Sequence, residues 1–304
     1  MAQSSSAKSA PQKSSGRPAG LITWISVGAV IAIVAVLVIV KVSKGGNTQN
    51  DASWSAADAT VVQQITNVPA SVFDTVGVTS PVATVTLPTL HLSEPQLVWK
   101  DSSGASHPGV LYYGGEYCPY CAAQRWPTII ALSRFGTWSG LGNTSSYSGD
   151  VYPNTQSFTF YKAHFKSKYI TVQTVEIARN VLNAQGTGYA PLQKATKEQD
   201  AILTKYDNMN YFPDMTQSQA GSIPFISVGN RIMWAGSSFP PSVLQGQQRA
   251  DIAANLTDTA NPITQGIIAS ANYLTAAICS QTQQQPSNVC SSKGVQAAAK
   301  AAKL

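Results

Sequence analysis

The sequence is poor in charge and in the side chains that build metal centres. Lys, Arg, Asp and Glu make up 11% of its 304 residues, with four cysteines, four methionines and three histidines. A structural zinc site wants four ligands. The cysteines instead fall into two distant pairs, Cys118/Cys121 and Cys279/Cys290, and His91, His107 and His164 show no ligand spacing. No metal and no other cofactor is expected. A basic stripe of the kind that holds nucleic acid is also missing. The formal net charge is +6, yet five positive charges lie at or before Lys44 and three more are Lys293, Lys300 and Lys303. Between Gly45 and Ser292, 14 acids face 12 bases. The basic excess belongs to the two ends, so no nucleic-acid partner is expected. No internal repeat is present.

One long apolar run is there. Leu21 to Val40 carries no charge and is dominated by Ile, Val, Ala and Leu. At 1.5 Å per residue it spans roughly 30 Å, the hydrocarbon thickness of a bilayer. It ends in Lys41-Val42-Ser43-Lys44 with no small-residue cleavage site, which reads as an uncleaved anchor rather than a signal peptide. A structural disulfide between Cys279 and Cys290 would need an oxidising compartment, which puts the N-terminus in the cytoplasm and the domain outside the cell membrane. The expected organisation is a disordered cytoplasmic tail over residues 1–20, a single transmembrane helix over 21–41 and a linker over 42–57. An extracytoplasmic domain over 58–291 and a flexible tail over 292–304 complete it.

Within the domain the pattern is α/β. Residues 96–100 and 109–114 read as strands, 120–135 as a helix and 138–155 as a Gly/Ser/Asn-rich loop long enough to count as an insertion. Strands follow at 157–161 and 169–177, then a helix at 196–206. Strands 223–228 and 231–235 flank Gly229-Asn230, a dipeptide suited to a tight hairpin. Helices at 241–256 and 263–278 close the pattern.

The chemistry concentrates at Gly114-Gly115-Glu116-Tyr117-Cys118-Pro119-Tyr120-Cys121. An apolar strand breaks at glycines and delivers two cysteines to a helix start. Pro119 suits the first helical position, leaving Cys118 as the cap against unpaired backbone N–H groups, a place that favours a thiolate. Cys118 and Cys121 stand one turn apart, within the span of a disulfide. The pattern points to thiol–disulfide exchange, with a metal knuckle and an inert disulfide as the blander readings. A second feature is Ile223-Pro224-Phe225-Ile226, where a proline opens an apolar strand. By itself it reads as an ordinary strand-starting proline. Its place about a hundred residues after the cysteines, directly before a hairpin, gives it more weight.

Together these residues resemble the thioredoxin fold over roughly residues 96–257, with a helical or loop insertion in 136–222. The Pro-Tyr dipeptide is like that of glutaredoxins, and the larger size is like that of bacterial envelope disulfide oxidoreductases. More closely, 115–126, Asp150-Val151-Tyr152-Pro153-Asn154-Thr155, 223–226 and the Ala271-Asn272…Cys279…Cys290 ending resemble an uncharacterised prokaryotic family of thioredoxin-like membrane proteins, domain of unknown function 929. The resemblance implies that Cys118 attacks and Cys121 resolves. It also implies a cis Ile223–Pro224 loop that, with Tyr120, faces the substrate. Glu176, in the apolar setting Val175-Glu176-Ile177, is the candidate buried carboxylate and proton relay. Glu116 and Arg125 read as exposed, and Trp126 as a packed aromatic. The Cys279–Cys290 pair reads as structural, its closed loop contributing roughly 3 kcal/mol.

The resulting expectation is a membrane-anchored extracytoplasmic thiol–disulfide oxidoreductase. Its partners would be the thiols and disulfides of envelope or secreted proteins and an unidentified electron partner in the membrane. A non-catalytic surface module with a structural disulfide, and a dedicated reductant for one maturation partner, remain the alternatives.

Overall fold

The computed structural model describes residues 54–78 and 85–304, which belong to one unit, Gly46–Leu304. The expected tail 1–20, transmembrane helix 21–41 and most of the linker lie outside the described residues. Among the described residues, no helix is long and apolar enough to cross a membrane.

The order opens with α1 (Ala59–Thr66) and α2 (Ala70–Val76), followed by β1 (Thr89–Leu90), β2 (Val98–Lys100), β3 (Ser106–Gly114) and α3 (Pro119–Ser133). Next come β4 (Gly136–Ser139), β5 (Gly142–Ser145), β6 (Gln156–Thr159), β7 (His164–Ser167), β8 (Thr171–Glu176), β9 (Ala178–Leu182) and β10 (Tyr189–Pro191). The chain ends with α4 (Lys197–Tyr206), β11 (Phe225–Val228), β12 (Ile232–Ala235), α5 (Arg249–Ala254), α6 (Pro262–Gln281), α7 (Ser287–Cys290) and α8 (Lys293–Ala302). It is a mixed α/β architecture.

The main sheet is centred on β3. β8 lies parallel on one side, with Gly114 opposite Glu176, and β11 antiparallel on the other, with Tyr113 opposite Phe225. β12 pairs with β11 through the Gly229-Asn230 turn, whose residues both have positive φ (63° and 58°) as a tight hairpin requires. Successive side chains of a strand point to opposite faces. Val110 and Tyr112 therefore join a large core with α3 and α6, while Leu111 and Tyr113 join a smaller one with Ile202 and Tyr206 of α4. With helices on both faces, the strands read as continuous apolar runs.

Three expectations are corrected, and two helices are added that the sequence reading did not assign. The stretch 138–155 is not one loop, because β4 pairs with β7 and β5 with β6, and the extra material of 136–167 is strand rather than helix. The helix expected at 241–256 is broken into a 3-10 turn at Pro241–Leu244 and α5, with Gly246 at positive φ between them. Two N-terminal helices, α1 and α2, add their apolar faces to the main core. Where a loose tail was expected after residue 292, α8 docks with Val295 and Ala298 fully buried. The Gly294 N–H donates to Asp74 Oδ1 (2.9 Å), and an added Cβ at Gly294 would lie 2.2 Å from the Phe73 carbonyl oxygen.

Candidate functional site

The register of the sheet brings three chain segments to one edge. β3 and β8 end there and β11 begins there, so the turn after Gly114, the carboxylate of Glu176 and the Ile223-Pro224 step converge. Gly115 permits the approach, since a Cβ there would lie 2.9 Å from the Tyr117 ring and 3.3 Å from Ile223 Cδ1.

Cys118 is the N-cap of α3 and Pro119 its first residue. The Cys118 sulfur accepts the Cys121 N–H at 3.3 Å, so the thiol replaces the usual capping oxygen. On its other side the thiol donates to the Ile223 carbonyl at 3.6 Å. The Ile223–Pro224 bond is cis. Both cysteines are free thiols, Cys118 with 6% of its surface exposed and Cys121 with none. Burial pushes the Cys121 thiol well above its ordinary range, and the hydrogen bond and charge of Cys118 push the same way. A small part of Cys118 reaches the surface, whereas Cys121 is fully enclosed.

Behind Cys121 lies a buried charge pair. Arg125, one turn further along α3, donates from Nε and Nη2 to the two oxygens of Glu176, both at 2.7 Å, and from Nη2 to the Gly115 carbonyl at 2.7 Å. Neither side chain is exposed. Arg125 is thus not the solvated position its charge suggests. Its Nη1 and the hydroxyl of Tyr112, over whose ring it lies, are buried without a hydrogen-bond partner among the described residues. Glu176, the expected relay, sits beneath the cysteines as an ion-paired carboxylate that also accepts the Phe160 N–H (3.4 Å). Glu116 is buried too, 9% exposed, and burial raises its carboxyl pKa against the opposing hydrogen bond of Thr159. It lines a polar cavity of about 230 Å³ with Arg179 and Arg249.

Tyr120 is half-buried beside Cys118, its pKa pushed up to about 12 by burial first and by Tyr152 and Cys118 next. Tyr152 meets its ring edge-on, and Tyr117, Tyr147 and Tyr189 form a second aromatic group beside the thiol, a set the sequence reading missed because its members come from three separated segments. Cys279 and Cys290 are brought together far along the chain, bonded to each other with their Cα atoms 5.6 Å apart. They join the end of α6 to α7 and take no part in the site around Cys118.

A family model, Domain of unknown function (DUF929), matches residues 99–280. The chain belongs to that family. No curated protein and no solved structure shows significant similarity to it.

Proposed function

We propose that this member of the DUF929 family is a thioredoxin-like thiol–disulfide oxidoreductase, held by the apolar run Leu21 to Val40 at the outer face of a membrane and acting on envelope or secreted proteins. The succession β3–α3–β8–α4–β11–β12–α6, with strand order β8–β3–β11–β12, supports the thioredoxin-like reading. The observation that carries the function is the position of the Cys118 sulfur. It caps α3 on one side and faces the Ile223 carbonyl before Pro224 on the other.

In the reducing direction, the Cys118 thiolate attacks one sulfur of a client disulfide. A Cys118–client disulfide forms and the second client sulfur leaves as a thiolate. Cys121 loses its proton and attacks the Cys118 sulfur, closing Cys118–Cys121 and releasing the client thiol. Two electrons pass to the client, and the reverse sequence oxidises it. The buried Arg125 cation, next to Cys121, lowers the penalty for the transient Cys121 thiolate.

The test is trapping. Protein carrying Cys121→Ser, incubated with a disulfide-containing polypeptide, should accumulate a mixed disulfide visible as a mass shift. Cys118→Ser should trap little. Equal trapping by both, or none by either, would leave an inert module as the better reading.

A further inference from the structure

The rim around Cys118 has a chemical character of its own. Tyr117, next to the thiol in sequence, stacks on Tyr189 with ring centroids 3.8 Å apart, and Tyr147 meets Tyr189 edge-on at 5.4 Å. Tyr152 meets Tyr120 edge-on at 6.1 Å. The turn carrying Tyr147 and Asp150 is pinned to the site by Tyr147 N–H on the Tyr117 carbonyl (2.8 Å) and Asp150 N–H on the Tyr147 carbonyl (3.2 Å). All five tyrosines are half-buried.

A carboxylate sits on this rim. The Asp150 carboxylate lies near enough to Tyr117, Tyr120 and Tyr189 to push each phenol upward, after burial and together with the neighbouring thiols and phenols. Asp150 Oδ1 accepts the Val151 N–H at 2.6 Å, and among the described residues no lysine or arginine forms an ion pair with it. Aromatic faces beside a half-buried carboxylate attract cations, most of all the flat guanidinium of arginine. They repel a carboxylate, which would lose water and meet like charge.

We infer that the rim selects client segments carrying arginine or lysine within a few residues of the reacting cysteine, the cation resting on the tyrosine faces against Asp150. This rests on the thiol–disulfide reading of Cys118.

The experiment uses the full chain with Cys121→Ser and short peptides whose single cysteine is a mixed disulfide with thionitrobenzoate. The Cys118 thiolate attacks the peptide sulfur, Cys118–S–S–peptide forms, and thionitrobenzoate leaves as a coloured thiolate. Peptides with Arg, Lys, norleucine or Glu two residues from the cysteine are compared. Each rate is divided by that of the same peptide with free cysteine to remove intrinsic reactivity. The Arg peptide should react on the order of tenfold faster than the Glu peptide. That ratio should fall toward one with Asp150→Asn, and in the parent protein as salt is raised. Equal normalised rates for all four peptides would overturn the selectivity and leave the exchange reading standing. Failure of every peptide to react would remove both.

Discussion

Arg125 and Glu176 grip each other through two parallel 2.7 Å hydrogen bonds with no solvent at either side chain. Such a pair is poor evidence of net stabilisation, but breaking it strands a charge in the interior. Glu176→Gln should lower unfolding free energy by about 3–5 kcal/mol, whereas an Arg125→Met, Glu176→Leu double variant should recover much of the loss. Urea unfolding of the three proteins measures the difference. Additive losses in the double variant would mean the two side chains are not coupled.

Burial holds Cys121 as a thiol at neutral pH. With Cys118→Ser, alkylation of Cys121 by iodoacetamide should therefore be slow at pH 7 and should still be rising above pH 9, as the thiolate is drawn out. Stopped alkylation followed by mass spectrometry gives the rate at each pH. A plateau below pH 8 would contradict the burial-driven shift.

Asp207 ends α4, with both carboxylate oxygens buried and unpartnered among the described residues, and burial lifts its pKa to about 7. Its carbonyl accepts the Gly221 N–H at 2.9 Å, two residues before Ile223. The folded state holds this proton more tightly than the unfolded chain, whose Asp titrates near ~3.9. The contribution is complete below about pH 4 and is lost as pH rises through 7. Relative to Asp207→Asn, the parent protein should lose about 1–3 kcal/mol between pH 4 and pH 8. Urea unfolding at the two pH values is the check, and a pH-independent difference would count against it.

The Cys279–Cys290 bond closes a short loop, with a sequence separation of 11 and each cysteine 1% exposed. Replacing both by Ala should reduce stability by roughly 3 kcal/mol. In oxidised protein, mild reductant should open Cys118–Cys121 while Cys279–Cys290 survives, because only the first presents a sulfur near the surface. Timed alkylation and peptide mapping would register the order.

What could be read in advance depended on whether local chemistry matched local structure. The β3–α3 junction was legible because an apolar strand, two glycines, a capping thiol and Pro119 all agree. Gly229-Asn230 marked its hairpin for the same reason. Arg125 was not legible, since α3 is covered nearly all round and its one charge looks like a surface position until Glu176 is brought in from β8. Glu116 was misread alike. The strands of 136–167 were hidden by their glycines: at Gly136 a Cβ would fall within 2.3 Å of the Lys166 carbonyl oxygen, so close strand approach selects the residue that reads as loop. In α8, Val295, Ala298 and Ala302 do fall on one face, but lysine and alanine around them read as a tail.

The docking of α6 over α3 sets an order of events during folding. Cys121 and Cys279 sit on those two packed helices, and the second is synthesised long after the first. Closing α8 onto α2 demands a contact between Gly294 and Asp74, 220 residues apart. Contacts of such separation form late. The apolar side of α2 that faces α8 is thus sealed only by residues 293–302, and a chain halted before Gly294 would leave that side uncovered.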